Sequence, residues 1–190
     1  DVVERSDSED PQDLANSATA MAVAAALGGD HAHAFRHAME ALRHGEALGL
    51  RNDAVRWAWS IGVDAALAMG ELADAKRLLG WLDGHPAGHI PPVLRAERLR
   101  LVARCRAAEA EPATAAFDAA VKALRDVCSP FHLAVGLLDH AEHLAATTDP
   151  RRARELAVEA QAIARELGAG PLSERAAGLV RGELSAQLAR

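Results

Sequence analysis

The chain has 190 residues, a net charge of -6 and a hydrophobic content of 50%, with two cysteines and no tyrosine. This length is sufficient for one domain with a continuous hydrophobic core. The arginines alternate with aspartate and glutamate, so we expect no basic face for nucleic acid, and no apolar run approaches the roughly 18 residues that span a membrane.

The composition predicts an all-α protein. The chain contains 45 alanines, and alanine is the best helix former because it loses no side-chain entropy. β-branched residues are scarce, and no segment alternates as a strand does. Cys105 and Cys128 lack the spacing of a metal or redox pair, and the first ten residues are acidic and polar, unlike a signal peptide. We therefore expect a cytoplasmic protein and, because the chain begins at Asp1, a fragment of a longer one.

Turn residues divide the chain into nine predicted helices. Asp30 is a candidate N-cap, as is either Asn52 or Asp53, and Gly70 and Gly168 are candidate helix ends. Prolines that suit a first helical turn begin five further helices. After a flexible leader at 1–12, the predicted helices span 13–28, 31–48, 52–69, 72–83, 92–109, 112–127, 130–147, 150–167 and 171–188.

A short pattern recurs four times near the start of the second helix of a predicted pair. It consists of a turn residue followed, five, nine and twelve positions later, by three small or apolar residues. The copies are Gly29, Ala34, Ala38 and Ala41; Gly70, Ala75, Leu79 and Leu82; Ala108, Ala113, Phe117 and Ala120; and Thr148, Ala153, Ala157 and Ala160. The three later positions share one helix face, and helix pairs that repeat such a face bury it by stacking.

This pattern resembles that of tetratricopeptide repeat (TPR) proteins. Trp59 lies where the family prefers a large residue in the first helix, and Gly70, Ala75 and Leu79 match its turn, small and large positions. Segment 113–120 fits the A-x3-F-x2-A signature in full. The spacings of 41, 38 and 40 residues between successive copies exceed the ~34 typical of the family and also fit HEAT-type pairs.

The resemblance implies a right-handed α-solenoid of about four antiparallel helix pairs with a C-terminal capping helix, forming one domain over 13–190. Segments 129–144 and 166–176 look similar to the C-terminal helical-repeat regions of large bacterial regulators. Those proteins join such a region to an ATP-binding core and in some cases to a LuxR-type DNA-binding module or a nucleotide cyclase. The expected setting is therefore a bacterial signalling or transcriptional regulator.

The same resemblance implies that the first helices of the pairs line a concave groove that contacts ligand. The candidate groove residues are Trp57, Ser60, Asp64, Arg95, Arg98, Asp139 and Glu142. The expected function is a non-catalytic scaffold or sensor that binds a protein or peptide, with other domains of the same chain among the possible partners. The alternative is a small-molecule-sensing receptor domain of such a regulator. Neither membrane nor nucleic acid is an expected partner.

Two histidine-rich clusters have the residue types of metal sites. The first is a stripe on one predicted helix, formed by His33, His37, Glu40 and His44. These residues flank the packing face of that helix, and a polar outer flank explains them without a zinc ion. The second is formed by Asp139, His140, Glu142 and His143, which we expect to be a solvated or groove-facing polar patch.

The sequence predicts no catalytic residue and no cofactor. It has no G-x-S-x-G elbow and no glycine-rich phosphate loop followed by G-K-[ST]. We therefore expect the chain not to be an enzyme.

Overall fold

The fold is all-helical. A computed structural model describes residues 10–127, 129–147 and 149–181, and within these ranges it contains helices and no strands. The predicted all-α class is thereby confirmed. Contacts divide the chain into two compact units, residues 1–95 and 96–190.

The helices lie close to the predicted ones. Those of the first unit are α1 (Pro11–Leu27), α2 (His31–Leu42), α3 (Gly45–Leu48), α4 (Asp53–Ala68) and α5 (Leu72–Asp83), followed by a 3-10 turn at Ala87–His89. Helix α6 (Pro92–Ala108) begins in the first unit and continues in the second, which also contains α7 (Thr114–Asp126), α8 (Pro130–Thr147), α9 (Pro150–Glu166) and α10 (Gly170–Arg181).

The second predicted helix, 31–48, is divided in the structure. The chain turns at His44 (φ -91°, ψ 0°), so that α2 and the short α3 are separate helices. Gly45 is buried there, and a Cβ atom on it would lie 3.3 Å from the indole ring of Trp81. A side chain at this position would require the Trp81 ring to shift by a few tenths of an ångström.

The two ends of the chain differ in part from the prediction. Helix α1 begins at Pro11, and the side chain of Asp10 caps it by accepting a hydrogen bond from the Gln12 amide at 2.8 Å. The predicted leader therefore does not extend to residue 12. Its residues 1–9, and residues 182–188 of the last predicted helix, lie outside the described ranges.

Capping side chains begin the helices as expected. Asp30 accepts from the His33 amide at 3.1 Å and caps α2. Asn52 accepts from the Ala54 amide at 2.9 Å, so Asn52 rather than Asp53 is the cap of α4. Each cap satisfies an amide that has no partner within its helix.

The repeated face is buried in all four copies, which confirms the predicted packing face. The later positions of the pattern are at most 7% exposed: Ala34, Ala38, Ala41, Ala75, Leu79, Leu82, Ala113, Phe117, Ala120, Ala153, Ala157 and Ala160. The third copy differs in register, because Ala113 precedes α7 as its N-cap, whereas Ala34, Ala75 and Ala153 lie inside their helices. The turn before it bends at Ala110, which has a φ of 56°.

Neighbouring helices pack in a similar order in each unit. In the first unit α4 contacts α1, α2 and α5, and the Trp59 indole donates to the Leu78 carbonyl at 2.8 Å. In the second unit α8 contacts α7, α9 and α10, and α9 contacts α10. This is the neighbour order that stacked helix pairs have, while the solenoid of four antiparallel pairs stays a prediction. None of the described helices has both the length and the apolar character needed to cross a bilayer.

Candidate functional site

The centre of α8 is buried on all sides. Its six consecutive residues Gly136–Ala141 are all buried, because α7, α9 and α10 surround this helix. Two polar residues lie in this stretch, Asp139 with 4% of its surface exposed and His140 with 1%. The solvated form of the expectation is wrong for both, since a helix enclosed by three others has no solvent-facing side at that level, and the groove-facing alternative stays a prediction.

Asp139 is held in a charge network of six residues. Glu97, Arg100 and Asp139 are buried, whereas the side chains of Arg104, Glu142 and Arg175 are about one-third exposed. Arg100 donates to Asp139 Oδ2 at 2.6 Å and to both carboxylate oxygens of Glu97 at 2.8–3.2 Å. Arg175 donates to Asp139 Oδ1 at 2.7 Å and to both oxygens of Glu142 at 2.6 Å. Three carboxylates thus face three guanidinium groups, and burial of such charges is tolerated because each has an opposite partner.

The network keeps Asp139 and Arg175 ionised. Burial by itself raises the pKa of Asp139, but the charges of Arg104, Arg100 and Arg175 outweigh it and hold that pKa below its usual value. Burial lowers the pKa of Arg175, and the carboxylates of Asp139 and Glu142 raise it above its usual value. These groups are therefore fixed charges at neutral pH rather than proton donors or acceptors.

A cleft of about 480 Å³ lies beside the charge network. Its walls include Arg104, Ala107, Phe117, Glu142 and His143. The buried Asp139 also lines it, and Ala110, Glu111, Ala146 and Thr147 form an exposed rim. We refer to this cavity as the cleft. Its volume falls within the range of sites that accept a small molecule or a side chain, and most of its walls are apolar, as is usual for such sites.

Two histidines of α8 lie against the ring of Phe117, which is part of the cleft wall. The His140 ring stacks on it at 5.4 Å between centroids, and the His143 ring lies tilted at 5.1 Å. His143 Nε2 lies 3.1 Å from the Thr114 hydroxyl. Burial lowers the pKa of His143, and it lowers that of His140 from 6.5 to about 4. Both imidazoles are therefore neutral at pH 7.

His140 has one ring nitrogen without a partner. No hydrogen bond to its Nε2 occurs among the described residues. Its Nδ1 lies 3.9 Å from an oxygen of Asp118, which is itself paired with Arg152. A buried polar atom without a hydrogen-bond partner lowers the free energy of unfolding by about 1–3 kcal/mol. His140 therefore destabilises the second unit locally.

The predicted groove residues are distributed over both units. In the first unit Trp57 is exposed, Ser60 is buried, Asp64 is half-buried, and Arg95 donates to the carbonyls of Ala87 and Ile90. In the second unit Arg98 is half-buried, whereas Asp139 and Glu142 lie together in the charge network and beside the cleft. The structure thus brings two of the seven together, and their role in ligand binding stays a prediction.

Three members of the histidine stripe, His33, His37 and Glu40, lie on α2, whereas His44 lies at the turn before α3. His33 Nδ1 is 2.6 Å from an oxygen of the N-cap Asp30, and His37 Nδ1 is 3.4 Å from an oxygen of Glu40. The two imidazole rings lie 6.5 Å apart. Within the described ranges no group of three or more histidine, cysteine, aspartate or glutamate side chains is placed to hold a metal ion.

Sequence reasoning missed the arginines that hold Asp139 and Glu142. One signal was present for the partner carboxylate of Arg100, because Glu97 lies three residues after Leu94 and four before Leu101, on the apolar face of α6. A charged residue in that position indicates a buried ion pair. No local pattern points to Arg175, which lies 36 residues after Asp139 and meets it only when α10 packs on α8.

Comparison of the chain with protein-family models, with curated proteins and with solved structures finds no match. The all-α class and the cleft of the second unit therefore rest on the sequence and its structure alone.

Proposed function

We propose that the chain is a non-catalytic module that binds a segment of a protein or peptide, and that the cleft of the second unit is its binding site. The observation that carries this proposal is the combination of apolar walls with charges that are already paired. Because Asp139 and Glu142 are hydrogen-bonded to arginines, their carboxylate oxygens are already engaged and give the cleft a fixed polarity.

The shape of the cleft favours a peptide segment as its ligand. Its rim residues Ala110, Glu111 and Thr147 are exposed, so a chain can enter on one side and continue past the opening. A volume of about 480 Å³ accommodates one or two side chains of such a segment. The wider setting that we propose, a bacterial signalling or transcriptional regulator, is supported by the TPR-like sequence pattern.

A matched pair of variants tests this proposal. Peptides are first selected from a random 12-residue display library on the 190-residue chain, and their dissociation constants are measured by fluorescence anisotropy. Ala146→Trp fills the cleft from α8, whereas Ala162→Trp places the same side chain on an exposed position of α9. We expect Ala146→Trp to weaken binding at least tenfold and Ala162→Trp to leave it unchanged.

Thermal unfolding of both variants checks that the fold is retained, since surface substitutions usually change stability by less than about 0.5 kcal/mol. If the selected peptides bind Ala146→Trp as well as they bind the unsubstituted chain, the cleft is not their site and the proposal fails.

The cleft's volume also suits a small molecule. The alternative, a small-molecule sensor, is tested by a fragment screen with ligand-observed NMR. It would be favoured if Ala146→Trp abolished binding of fragments while no selected peptide was affected by that substitution.

A further inference from the structure

The charges that line the cleft are predominantly acidic. Its lining includes the carboxylates of Glu111, Asp139 and Glu142 and one guanidinium group, that of Arg104. Arg104 Nε lies 3.8 Å from Asp139 Oδ2, so the guanidinium group among the described lining residues already faces a carboxylate. The opening of the cleft is therefore favourable to a positive charge rather than a negative one.

Glu111 differs from the other two carboxylates. It lies exposed on the rim, and in the described part of the chain no basic side chain is paired with it. Asp139 and Glu142, in contrast, are bound by Arg175 from the α10 side. A cationic ligand would thus find an available carboxylate at the mouth of the cleft and balanced charges further in.

The walls suit the stem of a basic side chain. Ala107, Ala110 and Ala146 contribute methyl groups to the lining of the cleft, with Ala107 half-buried and the other two exposed. Lysine and arginine side chains place their methylene stems on apolar surface while the charged end reaches a polar partner. Arginine also matches a carboxylate with two parallel hydrogen bonds.

We propose that the segment bound in the cleft presents an arginine or lysine side chain, with its stem on the exposed alanines Ala110 and Ala146 and its cationic end at Glu111. This inference rests on the proposed function and specifies the chemistry of the partner: a basic segment. Binding of an acidic segment is disfavoured by like-charge repulsion. Such a segment would approach the same unpaired carboxylate on a chain whose net charge is -6.

The test uses the peptides whose binding Ala146→Trp weakens. In each of them, every basic residue is replaced in turn by norleucine, which keeps the stem, and by glutamate. We expect one position at which norleucine weakens binding several-fold and glutamate weakens it further. The contribution of that position should decrease as salt is raised from low to physiological concentration, because an exposed ion pair is screened.

A charge change on the protein gives the second arm. We expect Glu111→Gln to weaken binding of the basic peptide about fivefold, the scale of a solvent-exposed ion pair. Glu166→Gln removes the same charge from an exposed position at the end of α9 and should leave binding unchanged. Glu111→Lys should restore affinity for the peptide that carries glutamate at the critical position.

The outcomes separate this inference from the proposed function. The inference would be overturned if the peptides weakened by Ala146→Trp contained no basic residue, or if Glu111→Gln left their affinity unchanged. The proposed peptide-binding function would still stand in either case. If no selected peptide is sensitive to Ala146→Trp, the proposed function fails and the inference fails with it.

Discussion

His140 should make the stability of the chain depend on pH between about 4 and 6.5. Its imidazole is 1% exposed, and burial lowers its pKa from 6.5 to about 4. Asp118, 3.9 Å away, favours the protonated ring, whereas the nearby Arg152 and His143 disfavour it. In this pH range the unfolded chain binds a proton that the folded chain excludes.

The direction and size of the effect follow from this difference. Since the unfolded state binds more protons below pH 6.5, the free energy of unfolding decreases as pH falls from 6.5 towards 4, and it is independent of this group above 6.5. A shift of about 2.5 pKa units corresponds to about 3 kcal/mol at 1.36 kcal/mol per unit. This is a large fraction of the 5–15 kcal/mol that stabilises a typical domain.

The assay is urea unfolding, followed by circular dichroism at 222 nm, of the unsubstituted chain and of His140→Leu at several pH values from 4 to 8. Leucine retains the packing and removes both the titrating group and the unpaired nitrogen. We expect the stability of His140→Leu relative to the parent to rise by about 3 kcal/mol between pH 7 and pH 4.

His89→Leu removes an imidazole from an exposed position of the 3-10 turn and provides the matched control. A stability difference between His140→Leu and the parent that stays constant from pH 8 to pH 4 would refute the reasoning. So would a difference that changes in the opposite direction, since a buried neutral imidazole cannot produce either result.

Three further predictions concern the packing and charges of the chain, each measured as the free energy of unfolding in urea. Gly136→Ala should destabilise the chain by about 1 kcal/mol, because the new methyl group would collide with Leu124 at a cost of about 1–3 kcal/mol that exceeds the helix-propensity gain. Gly80→Ala, whose methyl group would meet no neighbouring atom in α5, should stabilise the chain by about 0.5–1 kcal/mol. Equal effects of the two substitutions would contradict the packing argument. Ala110→Gly should stabilise by about 1 kcal/mol, since φ is 56° there and glycine adopts this conformation without strain; a loss of stability would show that the left-handed turn is not formed. Arg100→Met should destabilise by about 3–5 kcal/mol because it leaves two buried carboxylates without their shared partner, and a loss below about 1 kcal/mol would show that the charge network is not formed as described.

The local features of this fold could be read from the sequence. Asp30 and Asn52 cap helices through side-chain oxygens that reach an amide two or three residues away, and Gly70 and Gly168 have the positive φ that ends a helix. Such features depend on residues within one or two turns, so their physical cause is contained in a short segment. The exception is the turn at Ala110, where alanine takes a conformation that favours glycine.

The candidate site was predictable only in part. Their chemical type and their position on the first helix of a pair predict Asp139 and Glu142 as residues that face an open groove. They do not predict the arginines to which the two carboxylates are hydrogen-bonded. Their partners Arg100 and Arg175 lie 39 and 36 residues from Asp139 in the sequence. Because an isolated arginine is usually solvated, nothing local distinguishes these two from the other arginines of the chain.

The sequence by itself thus determined the helical class, most helix boundaries and the face that each second helix buries, because helix propensity, capping and periodicity act over a few residues. It did not determine the division of the predicted helix 31–48 into α2 and α3. Only the tertiary structure decided which polar groups lose their water. The packing of α7, α9 and α10 around α8 removed solvent from Asp139 and His140. It supplied arginine partners for Asp139 and left His140 Nε2 without one, since desolvation depends on which segments meet in space.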